Sequence, residues 1–509
     1  MKARVLFLMS GIALFAVLAA PNHPVAQEQH QQSERTSNLD PGGANPVPLV
    51  NQPLVPDATA PGGAGFTLTV TGAGFVRGAR IMWNGSSRAT TFVSDDKLTA
   101  TISAQDIKVA STASVSVVNP GPGGGRSNVI FFPITNPTTS VHLVGSSFLT
   151  LYQPVQLAVG DFNRDGKLDL AVVNFDCTFS PVFRCKGSGL VSIFLGTGHG
   201  TFWLRRTFAV GLGPTYAVVG DFNNDGKPDL ATSNLGDNTV SILLGNGDGT
   251  FQPASAYAVG QSPTALAAGD FNADGKLDLA VNNHDSDTLS ILLGNGDGTL
   301  QTPVDYLTGV LPQGVAVGDY NGDGKLDLAI NDLNCLNYPA CGPGIVSIFL
   351  GNGDGTFQTG IEYPTGPLPD SVNAADFNGD GILDLVTASG TYGSNNTVSV
   401  LLGNGDGTFQ PNVDYTTGTA PSFVALGDYN GDGKIDMAVA NQVSNTVSIL
   451  LGNGNGTFRP YIDFPAGTGA NGIATGDFNS DGRLDLAVGD LSSAKTVFIL
   501  LQSPTEVWP

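Results

Sequence analysis

Asp270-Phe-Asn-Ala-Asp-Gly-Lys-Leu-Asp278 is the stretch on which the fold turns. Aspartates stand at its first, fifth and ninth places, an Asn at the third and a Gly at the sixth, so hard oxygens line a tight loop that the glycine allows to turn sharply. Ala265 to Gly269 leads into the loop and Leu277 to Asn282 leaves it, both strand-like. Thr288 to Leu293 follows, and Gly294-Asn-Gly-Asp-Gly298 turns the chain into Thr299 to Tyr306. The unit is four strands, with the acidic loop between the first two.

The unit repeats. Seven copies of the loop begin at Asp161, Asp221, Asp270, Asp319, Asp376, Asp428 and Asp477, at intervals of 60, 49, 49, 57, 52 and 49 residues. Runs such as Leu-Asp-Leu-Ala-Val and Thr-Val-Ser-Ile-Leu-Leu are apolar on both alternating faces, as strands between neighbouring sheets must be. Four-stranded sheets repeated radially at this period predict an all-β fold, a seven-bladed β-propeller. The last unit ends at Thr496 to Leu501 after three strands, and Ser140 to Leu151 precedes the first loop, so these two segments are expected to pair and close the ring.

The loop chemistry suits Ca²⁺, up to seven ions with a structural role. The candidate ligands are Asp161, Asn163, Asp165, Lys167 and Asp169 in the first loop and Asp221, Asn223, Asp225, Lys227 and Asp229 in the second. The third offers Asp270, Asn272, Asp274, Lys276 and Asp278, and the fourth Asp319, Asn321, Asp323, Lys325 and Asp327. The fifth has Asp376, Asn378, Asp380, Ile382 and Asp384, the sixth Asp428, Asn430, Asp432, Lys434 and Asp436, and the seventh Asp477, Asn479, Asp481, Arg483 and Asp485. The seventh position would give only its backbone carbonyl, so a lysine there is compatible with metal, its ammonium expected in solvent. An EF-hand needs flanking helices and an acid at the twelfth place, where the first loop has Val172. The alternative is an Asx-turn held by local hydrogen bonds alone. Against it, the seven loops gather 21 of the 44 acidic residues, and seven Ca²⁺ would move the formal charge from −22 to −8.

The acidic loop, the Leu244-Gly-Asn-Gly-Asp-Gly-Thr-Phe251 turn and the sevenfold count together resemble the FG-GAP or VCBS repeat family, best known from the propeller of integrin α subunits. The resemblance covers residues 140 to 501. Gly62-Gly63, Thr69-Val-Thr-Gly-Ala-Gly-Phe75, Trp83-Asn-Gly85 and Asn119-Pro-Gly-Pro-Gly-Gly-Gly125, among alternating strands, resemble the IPT/TIG immunoglobulin-like family, which implies a β-sandwich acting as spacer or binding domain. The expected organisation is a signal peptide over 1–26, a flexible polar spacer over 27–45, an immunoglobulin-like domain over 46–135 and the propeller over 138–503. Lys2 and Arg4 before the apolar Val5 to Ala20 are signal-like, with cleavage after Ala19, Ala20 or Ala26 and an uncleaved anchor as the alternative.

Only 22 Lys plus Arg against a charge of −22 leave no basic stripe for nucleic acid. Cys177, Cys185, Cys335 and Cys341 allow three connectivities; with export, the local pairs are expected. The acids of the Asn-Gly-Asp-Gly turns, Asp248, Asp297, Asp354 and Asp406, give way to His199 and Asn455 elsewhere, which favours a hairpin role over ligation. His284-Asp285-Ser286 is the nearest approach to a catalytic set, but adjacent residues on one loop make no triad.

From the last Asp of each loop to the Gly ending the third strand the count is 16 in the second unit but 27, 24 and 19 in the first, fourth and fifth. The excess lies between strands two and three, on the rim opposite the acidic loops, and both cysteine pairs sit there, in Phe175 to Gly189 and Asp332 to Gly344. The expectation is a secreted or cell-surface adhesion or recognition protein, not an enzyme, whose partner is an extracellular protein or glycan, with no membrane span once the signal is removed. A lectin with repeated sugar pockets, or a polysaccharide-active enzyme, are the alternatives.

Overall fold

The computed structural model describes residues 43–150, 152–175, 177–178, 184–185, 187, 189–335, 341–390, 396–492 and 495–503. The signal-like segment and nearly all of the spacer lie outside the described residues; Asn45, placed in the spacer, already bridges to Gly123 of the next domain.

The N-terminal module is a two-sheet sandwich. One sheet runs Leu49–Val50, Phe66–Ala73, Lys97–Ile102, Thr90–Ser94 in spatial order, and the other is built on Arg80–Trp83, Ser111–Asn119 and Ile130–Ile134. Alternation decides the faces: Leu68 and Val70 are fully buried, while Thr67 before them is exposed and Thr69 between them is half-buried. Trp83 and Phe132 meet in the core with ring centroids 5.1 Å apart. Burying side chains of this size contributes roughly 1.5–3 kcal/mol each.

The rest is a seven-bladed propeller of antiparallel four-stranded sheets. The innermost strands are Gln153–Gly160, Pro214–Gly220, Pro263–Gly269, Pro312–Gly318, Pro369–Ala375, Pro421–Gly427 and Ala470–Gly476, each lying against the next, and the last lies against the first. Every one has a β-bulge near its start, just past a Pro in six of them, the first residue in five and the second, Pro154, in the first blade; proline lacks the N–H a regular ladder needs, so it belongs at such a break. All seven second strands are buried along their whole length, as their two-faced apolar sequence predicts. Leu143–Leu149 pairs with Thr496–Gln502 from Leu143 opposite Gln502 to Leu149 opposite Thr496, so the expected closure is present.

Neighbouring blades are fastened through both recurrent motifs at once. The aromatic residue at the second place of a loop packs on the Phe that ends the glycine turn of the following blade: Phe162 on Phe251 at 5.7 Å, Phe271 on Phe357 at 5.5 Å, Tyr320 on Phe409 at 5.8 Å, Phe377 on Phe458 at 5.5 Å. The backbone joins in, since Gly249, Gly298, Gly355, Gly407 and Gly456 each donate an N–H to the carbonyl of that aromatic residue, at 2.9–3.0 Å. Aromatic pairs of this edge-on kind add about 0.5–1.5 kcal/mol beyond the area they bury.

Both expected disulfides are formed, Cys177 with Cys185 and Cys335 with Cys341. The first ties a two-stranded ribbon, Cys177–Thr178 against Arg184–Cys185. The second sits with Leu311, Leu333 and Leu368 in a small apolar cluster.

Candidate metal centres

Each acidic loop follows the last residue of an innermost strand and ends on the first residue of the next, so strand pairing fixes both its ends. Gly160 faces Asp169 and Gly269 faces Asp278 across the ladder. Between them the fourth and sixth residues of every loop take positive φ: Ala273 at 56° and Gly275 at 80° in the third. Glycine at the sixth place has no Cβ to resist this, whereas Arg164, Asn224, Ala273 and Ser480 adopt it at the fourth.

The oxygens are held by the loop's own backbone. In all seven loops the first Asp accepts the N–H of the sixth residue at 2.7–2.9 Å. The third-place Asn accepts that of the fifth at 2.8–3.1 Å. These are Asx-turn bonds, the alternative reading of the motif; they leave room for ligation where an oxygen accepts a single N–H, as Asp161 Oδ2 does from Gly166, whereas Asp270 Oδ2, Asp376 Oδ1 and Asp428 Oδ1 each accept two.

The ninth Asp does something the sequence reading missed. It is fully buried in every blade and accepts two backbone donors: Asp278 takes the N–H of Phe271 at 2.9 Å on Oδ2 and that of Gly294 at 2.7 Å on Oδ1. It thus staples the loop to the end of the third strand. The available signal was the Gly recurring at that place: a Cβ on Gly294 would stand 2.1 Å from the carbonyl oxygen of Leu277. Burial pushes the ninth carboxyl up, to about 7 at Asp169, Asp278, Asp327 and Asp384 and about 8 at Asp485, and the first and fifth carboxylates nearby add to the rise. Burial likewise raises the first-place carboxyls, to about 6 at Asp270, Asp319 and Asp428.

The lysines at the seventh place differ from expectation. Instead of standing free in solvent, their ammonium groups fold back on the fifth Asp: Lys227 on Asp225 at 2.7 Å, Lys276 on Asp274 at 2.9 Å, Lys325 on Asp323 at 3.4 Å. A counter-charge is therefore at hand, although half-exposed pairs of this kind contribute only about 0–1 kcal/mol. Ile382 offers none, and Arg483 reaches instead to the carbonyl of Asn136 at 3.3 Å. Among the described residues no three His, Cys, Asp or Glu side chains are gathered as a metal site. The donor set of a loop is mixed: carboxylate, amide and backbone carbonyl oxygens, which fit calcium in kind.

The N-terminal module lies across this face. Val47 donates its N–H to Asp270 Oδ2 at 2.8 Å and Asp376 its N–H to the carbonyl of Gln52 at 3.0 Å, while Thr138, just past the module, donates its N–H to the carbonyl of Asn430 at 2.7 Å. Asp270, Asp428, Asn430 and Asp477 are buried, whereas Asp165 and Asp225 of the first two loops are exposed. The sixth-place glycines serve the contact as well, because a Cβ on Gly275 would meet Gly123 and Asn45, and one on Gly482 would meet Ser111 and Ile134. Nothing in the sequence pointed to this docking.

The turn acids behave as hairpin residues. Asp297 Oδ1 accepts both the N–H and the hydroxyl of Thr299, at 3.0 and 2.6 Å, and that hydroxyl lowers its carboxyl; Asn455 bonds Thr457 in the same way. His284 is fully buried with Nδ1 2.9 Å from Asp285, whose other oxygen accepts from Ser262, and Ser286 Oγ accepts the N–H of Gln261. No hydroxyl faces that imidazole among the hydrogen bonds it makes.

A propeller whose blades each carry this loop and turn defines a repeat class, and the chain belongs to the FG-GAP-like repeat family: the repeat matches residues 182–232, 221–281, 270–330, 331–387, 376–439 and 428–488. An IPT/TIG domain matches residues 52–134. No curated protein matches the chain. Among solved structures it is similar to a putative 6-phosphogluconolactonase from Bacteroides uniformis, with 15% identity over 69% of this chain and 92% of that one and a TM-score of 0.47. It is also similar to the periplasmic gluconolactonase PpgL of Pseudomonas aeruginosa, with 16% identity over 69% and 92% and a TM-score of 0.45. A functionally unknown protein from Desulfotomaculum acetoxidans gives 13% identity over 69% and 92% and a TM-score of 0.43. Among the described residues no helix is long and apolar enough to cross a membrane.

Proposed function

We propose that the chain is an exported recognition protein whose seven loops hold structural calcium and whose partner, an extracellular protein or glycan, is engaged on the rim opposite those loops. The observation that carries this reading is the division of the two faces. The loop face is partly occupied by the N-terminal module, while both disulfide-tied insertions stand at the far ends of the second strands. A short disulfide loop arrives at its partner with less freedom to lose. For calcium the support is the oxygen-only donor set repeated seven times and the mutual repulsion of its carboxylates.

Two measurements test it. Metal analysis should find close to seven calcium ions per chain, and EDTA should lower the melting temperature, each loop filled at a hundredfold excess over its Kd contributing about 2.7 kcal/mol. A melting curve indifferent to EDTA would remove the metal from the account. For the ligand face, the purified chain is screened on a glycan array with and without EDTA, beside a variant in which 175–189 is replaced by the short linker Asn234 to Asp237. Loss of binding with intact folding and calcium content is the expected result; retained binding rules that insertion out.

A further inference from the structure

The innermost strands line a central cavity of about 400 Å³, to which Leu49–Gln52 and Ile130 of the N-terminal module also contribute walls. Tyr216 of the second blade and Phe423 of the sixth, on opposite sides of the ring, reach across it with ring centroids 6.3 Å apart and planes 31° from parallel. Among the described residues no Lys, Arg or His lines it, and the one carboxylate that does is Asp370. The remaining polar lining is amide and hydroxyl.

Much of that lining is committed to the ring itself. Thr215 bonds the carbonyl of Pro263 at 3.1 Å, Asn471 that of Val155 at 3.0 Å, and Gln156 accepts the N–H of Ala217 at 3.1 Å, each reaching a neighbouring blade. Three lining residues, Gln52, Gln313 and Ser371, each carry a buried polar atom with no protein partner, Oε1, Nε2 and Oγ, which a change of side-chain torsion would turn toward the cavity. A buried polar atom without a partner is destabilising, so three on residues around one cavity are a cost that an occupant able to bond them would relieve.

We propose that this cavity is a binding site for one small neutral polyhydroxylated molecule, a monosaccharide in chemical class, held between the N-terminal module and the propeller. The volume is within the range of small-molecule sites. An anion would find no positive charge there, and a bare cation could not use the Gln313 amide donor. An apolar guest would leave all three orphans unpaired. A sugar presents hydroxyls that both donate and accept, together with a C–H face to lie on the rings of Tyr216 and Phe423. The site shares no residue with the rim insertions and does not require calcium, so its failure and that of the rim reading are distinguishable.

The test uses the full chain, with D-glucose, D-galactose, D-mannose and N-acetyl-D-glucosamine as probes and D-glucuronate as the anionic control, followed by saturation-transfer NMR and calorimetry. At least one neutral sugar should bind one per chain, at least tenfold more weakly in Phe423→Ala and in Gln313→Leu and unchanged in Trp203→Ala on the outer face of the first blade. Gln313→Leu keeps the volume, so it decides the matter if Phe423→Ala is poorly folded. Absence of binding by every neutral probe at millimolar concentration overturns the proposal, leaving a cavity for water. So do binding unaffected by Gln313→Leu, glucuronate binding as tightly as the neutral sugars, and a stoichiometry of seven per chain, which would place sugars between blades.

Discussion

Asp278 and Asp274 sit four residues apart on one loop and do different things. Asp278 holds two buried N–H groups, so Asp278→Ala strands both and should cost about 2–5 kcal/mol in urea unfolding, with or without EDTA. Asp274, half-exposed beside Lys276, has little to hold in the absence of metal, so Asp274→Ala should matter only while calcium is present. A cost for Asp278→Ala that disappears in EDTA would mean that this residue ligates rather than staples. Asp332 is a second informative carboxylate. It occupies the place taken by Asn174, Asn234, Asn283 and Asn441 in other blades, accepts from Ser347 at 2.8 Å, and is pushed up to about 8 by burial, with Glu362 and Asp287 adding to the rise. A folded-state value above the unfolded one gives a contribution that is whole below about pH 4 and is lost as pH climbs through 8. Asp332→Asn should therefore melt close to the parent at pH 5 and above it at pH 9; parallel curves would show that Asp332 ionises freely in the fold.

At the scale of elements, the fastening between blades explains why the two motifs recur together. Phe357 is buried against Phe271, and the third blade has Leu300 where the others have Phe. Phe357→Leu should thus cost little, on the order of 1 kcal/mol, and Phe357→Ala about 3–5 kcal/mol by leaving a cavity. Equal losses by thermal unfolding would show that ring stacking, and not volume, holds the seam. Blade number, strand order and the closing strand were legible because each rests on periodicity, which a repeat prints several times over. The staple by the ninth Asp was hidden because it depends on a bond between residues 16 apart whose geometry no local pattern records. The fold-back of Lys227 was hidden for another reason: whether an ammonium stays in water is decided by a few tenths of a kcal/mol.

At the scale of the molecule, the contact between module and propeller was invisible in the sequence, because Val47, Gly123 and Thr135 are unremarkable residues until the fold brings them to Asp270, Gly275 and Gly431. Removing residues 43–134 should uncover the third, fifth, sixth and seventh loops and widen access to the central cavity; a faster calcium exchange from those loops, with the first two unchanged, is the outcome to look for by stopped-flow chelation. The closing strand has a further consequence, for the time at which the protein becomes a protein. Leu143–Leu149 waits beside an incomplete ring until Thr496–Gln502 has been synthesised, since the sheet it completes is the last to leave the ribosome. Until then that strand has no partner and the last blade lacks its outermost strand, two open edges that the export proposed above would prolong. Any escort of the nascent chain has to keep those two edges apart from other chains, and its task ends with a single pairing between opposite ends of the propeller sequence.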